Sequence, residues 1–202
     1  MPRTPRAQAA PSKALLRREA LIDRLTDLIL AQGFANASID ELARAMHCSK
    51  TTLYSIADTK ERIILAAVRR FFARAAAEID RHLESTAADP FERIREYLLA
   101  ISRALTPASP EFFSSLDAWE STRTIYEENT RTAASRVRQL VDAAVPDRED
   151  AAFIGAVAGQ TMESIHRGDI EAGTGLDDAA AYRYLADLIV RGLGVHPREG
   201  AA

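Results

Sequence analysis

One cysteine, Cys48, is all the thiol chemistry that the 202 residues carry, so no disulfide forms within the chain and nothing calls for an oxidising compartment. Long apolar runs are missing too. No stretch approaches the roughly 20 apolar residues of a membrane span. The basic N-terminus continues after Arg6 into Ala-Gln-Ala-Ala-Pro-Ser-Lys, without the apolar stretch of a secretory signal. A cytoplasmic protein is the expectation. Glycine (9) and proline (8) are scarce while alanine and arginine are plentiful, a balance that favours helices. The four histidines, His47, His82, His166 and His196, lie far apart in sequence, and none stands at metal-ligand spacing from Cys48 or a carboxylate. A phosphate-cradling glycine loop and a nucleophile elbow are both lacking. The sequence thus offers no catalytic group, no metal site and no cofactor, and a non-enzymatic protein is expected. An enzyme assembled from sequence-distant residues stays open as an alternative.

What is present is 47% hydrophobic and 27% charged residues, which suits a globular protein with a real core. Net charge is −3, but it is unevenly spread. Residues 1–70 hold 12 Lys/Arg against 7 Asp/Glu, and the remainder holds 14 against 22. A basic first third on an acidic body fits a DNA-reading head on a body that does not bind DNA. Uneven surface charge without function is the alternative.

Residues 1–13, with three prolines and no apolar periodicity, are expected to form a flexible basic arm carrying Arg3, Arg6 and Lys13, with Arg17 and Arg18 just beyond. The arm is either a solubilising tail or a segment that lies against phosphates or in a minor groove. From Ala14 to Gln32, Leu21, Leu25 and Leu28 recur at helical spacing beside Ile22 and Ile29, and Gly33 takes the C-cap role. Ser38-Ile39-Asp40-Glu41 fits a capping box that opens a helix of about two turns carrying Leu42, Ala43 and Met46. Ser49 caps a further short helix from Lys50 to about Ser55, anchored by Leu53. Asp58-Thr59-Lys60-Glu61 then starts a long helix through Ile63, Ile64, Ala67, Val68, Phe71 and Phe72. Two such short helices bury little surface alone and must pack steeply on a third, which is the helix-turn-helix arrangement.

At these residues the chain resembles the tetracycline-repressor (TetR) family of bacterial transcriptional regulators. The resemblance covers about residues 15–65 and rests on Gly33-Phe34, Ser38-Ile39-Asp40-Glu41-Leu42-Ala43, Ser49-Lys50-Thr51-Thr52-Leu53-Tyr54 and Thr59-Lys60-Glu61. It implies an all-α protein: an N-terminal three-helix helix-turn-helix DNA-binding domain over 14–70, an effector-binding and dimerisation domain over 71–194, and a tail over 195–202. It also implies a repressor released from a near-palindromic operator by a small molecule, with double-stranded operator DNA, a second copy of the chain and a small, partly apolar effector as partners. By the same resemblance, Lys50, Thr51 and Thr52 contact base edges and nearby phosphates, and Tyr54 and Lys60 contact phosphates. Ser38 and Ser49, at the helix starts, complete the DNA-binding set. A DNA-binding helical protein without an effector, architectural or controlled by another protein, is the alternative. Three positions depart from the family pattern: His47 replaces the usual turn glycine, Thr51 a small residue, and Ala57 an aromatic one. The last change predicts different packing at the head of the fourth helix.

Beyond about Thr86 only pattern guides the reading. Asp89-Pro90 starts a helix through Phe91, Ile94, Tyr97, Leu98 and Ile101, which Pro107 and Pro110 end. An aromatic-rich segment runs on into a helix ending near Val145-Pro146, and residues 148–168 and 178–193 are two more helices. Gly155 and Gly159 allow close helix approach, across a dimer interface as the resemblance implies or within one chain. Phe112, Phe113, Trp119, Tyr126 and Met162 are candidate ligand-pocket residues, with ordinary core as the alternative. Glu120, Asn129, Gln160, Glu163 and His166 are candidate polar contacts.

Overall fold

The computed structural model describes residues 12–85, 89–146 and 149–194, and these are helical with no strand among them. The arm residues 1–11 and the tail 195–202 lie outside the described residues. In chain order the helices are α1 (Lys13–Gln32), α2 (Ile39–Ala45), α3 (Lys50–Tyr54), α4 (Lys60–Glu84), α5 (Pro90–Leu105), α6 (Pro110–Ala118), α7 (Glu120–Ala144), α8 (Ala151–His166), α9 (Asp169–Thr174) and α10 (Asp178–Gly194).

Local chemistry sets the boundaries in the first third. Ser12 caps α1 by accepting from the Leu15 amide, so the helix starts one residue before Ala14. Gly33 ends it at φ 70°, its amide donating to the Ile29 carbonyl. The capping box at α2 forms as expected. The Glu41 amide donates to Ser38 Oγ at 3.2 Å, and the Ser38 amide donates back to the Glu41 carboxylate at 2.7 Å. His47 takes the turn at φ 51°, the one non-glycine at positive φ among the described residues. The turn closes when the Cys48 amide donates to the Ala43 carbonyl at 2.9 Å. Two α1 arginines satisfy carbonyls at the far ends of the short helices: Arg18 donates to Ile56 at 2.8 Å, and Arg24 donates to Met46. Arg18, grouped with the arm by its charge, therefore works inside the head.

Leu25, Ile29, Leu42, Leu53, Ile63 and Ile64 form the fully buried centre of the head. Each such side chain contributes about 1.5–3 kcal/mol on burial. That core does not stop at residue 70. Phe71, Phe72, Phe112, Phe113, Leu116 and Tyr126 belong to the same cluster, and α4 runs unbroken across the expected 70/71 boundary. A second cluster fills the body, with Ile94, Leu98, Val137, Val141, Met162, Tyr182 and Leu185 at its centre.

The seam between the two is tight. A Cβ on Gly33 would stand 2.6 Å from both the Glu111 carbonyl oxygen and Ser115 Oγ. Ser115 Oγ accepts from the Phe34 and Ala35 amides at 3.0 and 3.2 Å and donates to the Glu111 carbonyl. Gly33 is therefore required twice, for its φ and for the approach of α6. In the body, the aromatic segment breaks at Trp119, which has extended backbone (φ −122°, ψ 129°), so α6 and α7 are separate helices. The short α9 between Gly168 and Gly175 has no apolar periodicity and escaped the sequence reading. Gly155 and Gly159 serve the same chain: a Cβ at either would stand 3.0–3.1 Å from Ala134 on α7.

Candidate nucleic-acid interface and ligand cavity

Helix α3 buries only Leu53, so the rest of it is free to face a partner. Lys50, Thr51, Thr52 and Tyr54 are exposed, as are Ser38 and Ser49 at the preceding N-caps. Ser49 Oγ accepts from the Thr52 amide at 3.0 Å and shares a 2.8 Å hydrogen bond with Thr52 Oγ1, which orients that hydroxyl. Lys50 Nζ bridges Asp40 at 2.7 Å, with both side chains 55% exposed. Such a surface pair is worth about 0–1 kcal/mol, so the ammonium is easily exchanged to a phosphate. Tyr54 is 45% exposed, and its hydroxyl has no protein partner among the described residues. These side chains present hydroxyl and ammonium donors on one surface, the chemistry that phosphate oxygens and base acceptors take.

Lys60 is placed differently. It is half-buried at the start of α4, and its Nζ lies 5.0 Å from the centroid of the Trp119 ring. Ser121 Oγ donates to Glu61 at 2.7 Å beside it. Ala57 is small, and the aromatic ring at the head of α4 comes instead from the α6–α7 break.

The body carries two cavities, both open to solvent on one side, that share Leu105, His166 and Tyr182 as a wall. The inner one, of about 370 Å³, lies between α4, α5, α7, α8 and α10 and is lined largely by Phe72, Ala75, Ile79, Tyr97, Ile101 and Met162, with Asp80 and Arg136 at its edge. The outer one, of about 600 Å³, lies toward α6 and α9 and carries Asp117, Arg167, Glu171, Asp177 and Asp178. Of the five candidate pocket residues, Tyr126 and Met162 line the inner cavity and Phe113 lines the outer. Phe112 and Trp119 line neither, because they pack in the seam, Phe112 against Phe71 at 5.3 Å and Trp119 against Phe34 at 5.3 Å. Among the polar candidates, Asn129 and His166 face the inner cavity, while Gln160 and Glu163 line a shallower hollow beside Tyr126.

His166 is the centre of the wall. Tyr126 Oη lies 2.8 Å from Nδ1, Tyr182 Oη lies 2.8 Å from Nε2, and the Phe113 ring stacks on the imidazole at 4.9 Å and 8°. Burial alone pushes the imidazole pKa down to about 4, so it is neutral at pH 7. Burial likewise pushes the Tyr126 and Tyr182 phenols well above their usual range. Rings connect this wall to the head: Tyr126 to Phe72 (6.4 Å), Phe72 to Phe71 (5.0 Å), Phe71 to Phe112 (5.3 Å), Phe112 to Phe34 (6.0 Å) and Phe34 to Trp119 (5.3 Å), which ends under Lys60.

Comparison with solved structures finds the same fold. A TetR-like transcriptional regulator from Rhodococcus sp. RHA1 superposes with a TM-score of 0.65 at 19% identity, covering 93% of this chain and 100% of that one. The chain has the TetR-like fold. A transcriptional regulator from Saccharomonospora viridis, solved in complex with choline, gives 0.69 at 17% identity over 85% of this chain and 94% of its own. The TetR-family regulator PfmR from Thermus thermophilus gives 0.57 at 21% over 91% and 97%. In sequence, the HTH-type transcriptional regulator EthR of Mycolicibacterium smegmatis is 33% identical over 94 residues, 46% of this chain. That match spans 43% of EthR, less than half its length. No protein-family model matches the chain. Within the TetR-like fold, sequence reasoning missed Phe72, Tyr97 and Tyr182 as cavity residues. Phe72 read as core at helical spacing, and the other two lie on helices whose faces pattern alone does not rank. Among the described residues no cluster of His, Cys, Asp and Glu can hold a metal ion, and no helix is long and apolar enough to cross a membrane.

Proposed function

We propose that the chain is a cytoplasmic, sequence-specific transcriptional regulator: a homodimer that represses from a near-palindromic operator and is released by a small molecule bound in the body. The observation that carries this reading is the exposed donor set Ser38, Ser49, Lys50, Thr51, Thr52 and Tyr54 on a basic head in a TetR-like fold. Lys60 joins the set as a phosphate ligand at the head of α4. One short recognition helix reads too little sequence alone, and two-fold pairing places two of them about 34–36 Å apart, or a multiple of that, along DNA. An apolar face supports the pairing. Phe153 (69% exposed) and Val157 on α8, and Tyr184 (60%) and Leu188 (67%) on α10, stand one turn apart on two neighbouring helices. Exposed apolar patches of this kind mark association surfaces.

The effector half of the reading is supported by the inner cavity, whose volume and aromatic, largely apolar lining suit a small organic ligand. The choline complex of the S. viridis protein supports it further. The residues of this chain serve as binding and positioning groups, with no catalytic role.

The test is selection of duplexes from a random pool, followed by fluorescence anisotropy over a range of salt. The expected outcome is one tight, near-palindromic site whose log affinity falls linearly with log salt. Tyr54→Phe, which deletes one hydroxyl, is expected to weaken binding about tenfold at unchanged dimer mass. Equal, weak binding to every duplex overturns the specific-regulator reading in favour of an architectural protein.

A further inference from the structure

The wall of the inner cavity contains a hydrogen-bonded chain whose hydrogens do not balance. Tyr126 on α7, His166 on α8 and Tyr182 on α10 all line that cavity, and all three are buried. Tyr126 Oη meets His166 Nδ1 and Tyr182 Oη meets His166 Nε2, each at 2.8 Å. Each hydroxyl brings one hydrogen, and a neutral imidazole brings one N–H and one lone pair. Three hydrogens thus serve two bonds, and one donor is left over.

The direction of the chain says where. When the Tyr126 O–H donates to Nδ1, the Nε2–H donates to the Tyr182 oxygen. The Tyr182 hydroxyl hydrogen is the remainder. Run in reverse, the remainder is the Tyr126 hydroxyl hydrogen, still in the same wall. Burial keeps the imidazole neutral at pH 7, so no further proton alters the count. A buried donor without an acceptor is strongly disfavoured, and water or a ligand must answer it.

We propose that the inner cavity takes an uncharged, largely apolar ligand bearing a carbonyl oxygen (a ketone, ester, lactone or amide) that accepts the leftover hydrogen of the Tyr126–His166–Tyr182 chain. This rests on reading the cavity as the effector site. A carbonyl closes the count because it accepts and brings no hydrogen of its own to that bond. The apolar part of the wall, Phe72, Ala75, Ile79, Ile101 and Met162, takes an apolar body, with Asn129, Thr130 and Thr132 as further uncharged polar side chains beside it. A full charge finds no counter-charge within: Asp80 and Arg136, of opposite sign, are both exposed residues at the edge.

Three probes of matched size test this by isothermal titration of the full chain without DNA: hexanophenone, hexylbenzene and 6-phenylhexanoate. Hexanophenone is expected to bind about tenfold tighter than either of the others, the factor one buried hydrogen bond supplies. The infrared carbonyl stretch of the bound ketone is expected below its value in alkane, a readout that needs no variant. In the Tyr126→Phe/His166→Phe/Tyr182→Phe protein, hexylbenzene is expected to bind still and the advantage of the ketone to vanish. Equal affinities for ketone and hydrocarbon in the native chain, tightest binding of the carboxylate, or a ketone advantage that survives the triple substitution overturns the proposal while the effector site stands. Failure of all three probes to bind the native chain overturns both.

Discussion

The surface proposed to face DNA draws six exposed polar side chains from positions 38–54, a contiguous stretch whose geometry is fixed by serines hydrogen-bonded to amides three residues on. The cavity wall draws on five helices from Phe72 to Tyr182, and no two of its chemically decisive residues, Tyr126, His166 and Tyr182, share a helix. The first site is local and exposed, the second non-local and largely buried. A local site tolerates substitution in its surroundings, because capping fixes each short helix from within. A non-local site depends on the packing of every helix that borders it, and its buried polar groups cost stability unless each has a partner.

The largest blow to this contrast is at the seam where the two regions meet. Phe112 is fully buried against Phe34, Phe71 and Phe113. Phe112→Ala is expected to cost about 3–5 kcal/mol in denaturant unfolding. A separate, earlier melting of the head would show that the two regions unfold apart; one shared transition would show that the seam makes them one cooperative unit.

Acid sharpens the comparison next. The unfolded chain binds a proton at His166 near the ordinary pKa of 6.5, and the folded chain only near 4. Acid therefore favours the unfolded state. The contribution of the neutral ring is fully present above about pH 6.5 and is lost as pH falls through the window down to about 4, a total of about 3 kcal/mol. Urea unfolding at pH 7, 5.5 and 4.5 is expected to show this acid limb in the native chain and a flatter one in His166→Phe. An identical limb in both would assign it to the carboxylates.

The smallest effect belongs to the turn between α2 and α3. His47 sits at φ 51°, where a Cβ is unfavourable. His47→Gly relieves that strain and returns part of the gain as unfolded-chain entropy. A net gain of about 0.5 kcal/mol is expected by urea unfolding, with operator affinity unchanged.

The same contrast decides how much was legible in sequence. The first third read almost residue for residue, because capping serines, Gly33 and the apolar spacing of α1 and α4 are short-range signals. Lys60 was legible as a helix-start lysine, but not its seat on Trp119, which arrives from 59 residues away. In the body, Asp89-Pro90 announced α5, whereas α9 lacks any periodicity. Small residues at 155 and 159 said that something approaches closely without saying what, and the answer is α7. Aromaticity picked Phe112 and Trp119 for a pocket, yet large rings fill seams as readily as they line cavities. Only tertiary placement separates the two. Tyr126 and His166 were legible as candidates, but not their meeting with Tyr182, because the three lie 16 to 56 positions apart on different helices.

Helix α4 belongs to both regions at once, and its length gives it mechanical advantage. Leu83 is buried in the body core near one end, Phe72 touches the cavity near the middle, and Lys60 begins the other end beside the DNA-facing surface. At about 1.5 Å per residue, Phe72 lies roughly 16 Å from Leu83 and Lys60 roughly 35 Å from it. For a rigid α4 pivoting at Leu83, a shift of about one ångström at Phe72 corresponds to about two at Lys60. Under the proposed function, an effector that moves this phenylalanine by that much moves the head by a displacement comparable with the tolerance of a hydrogen bond.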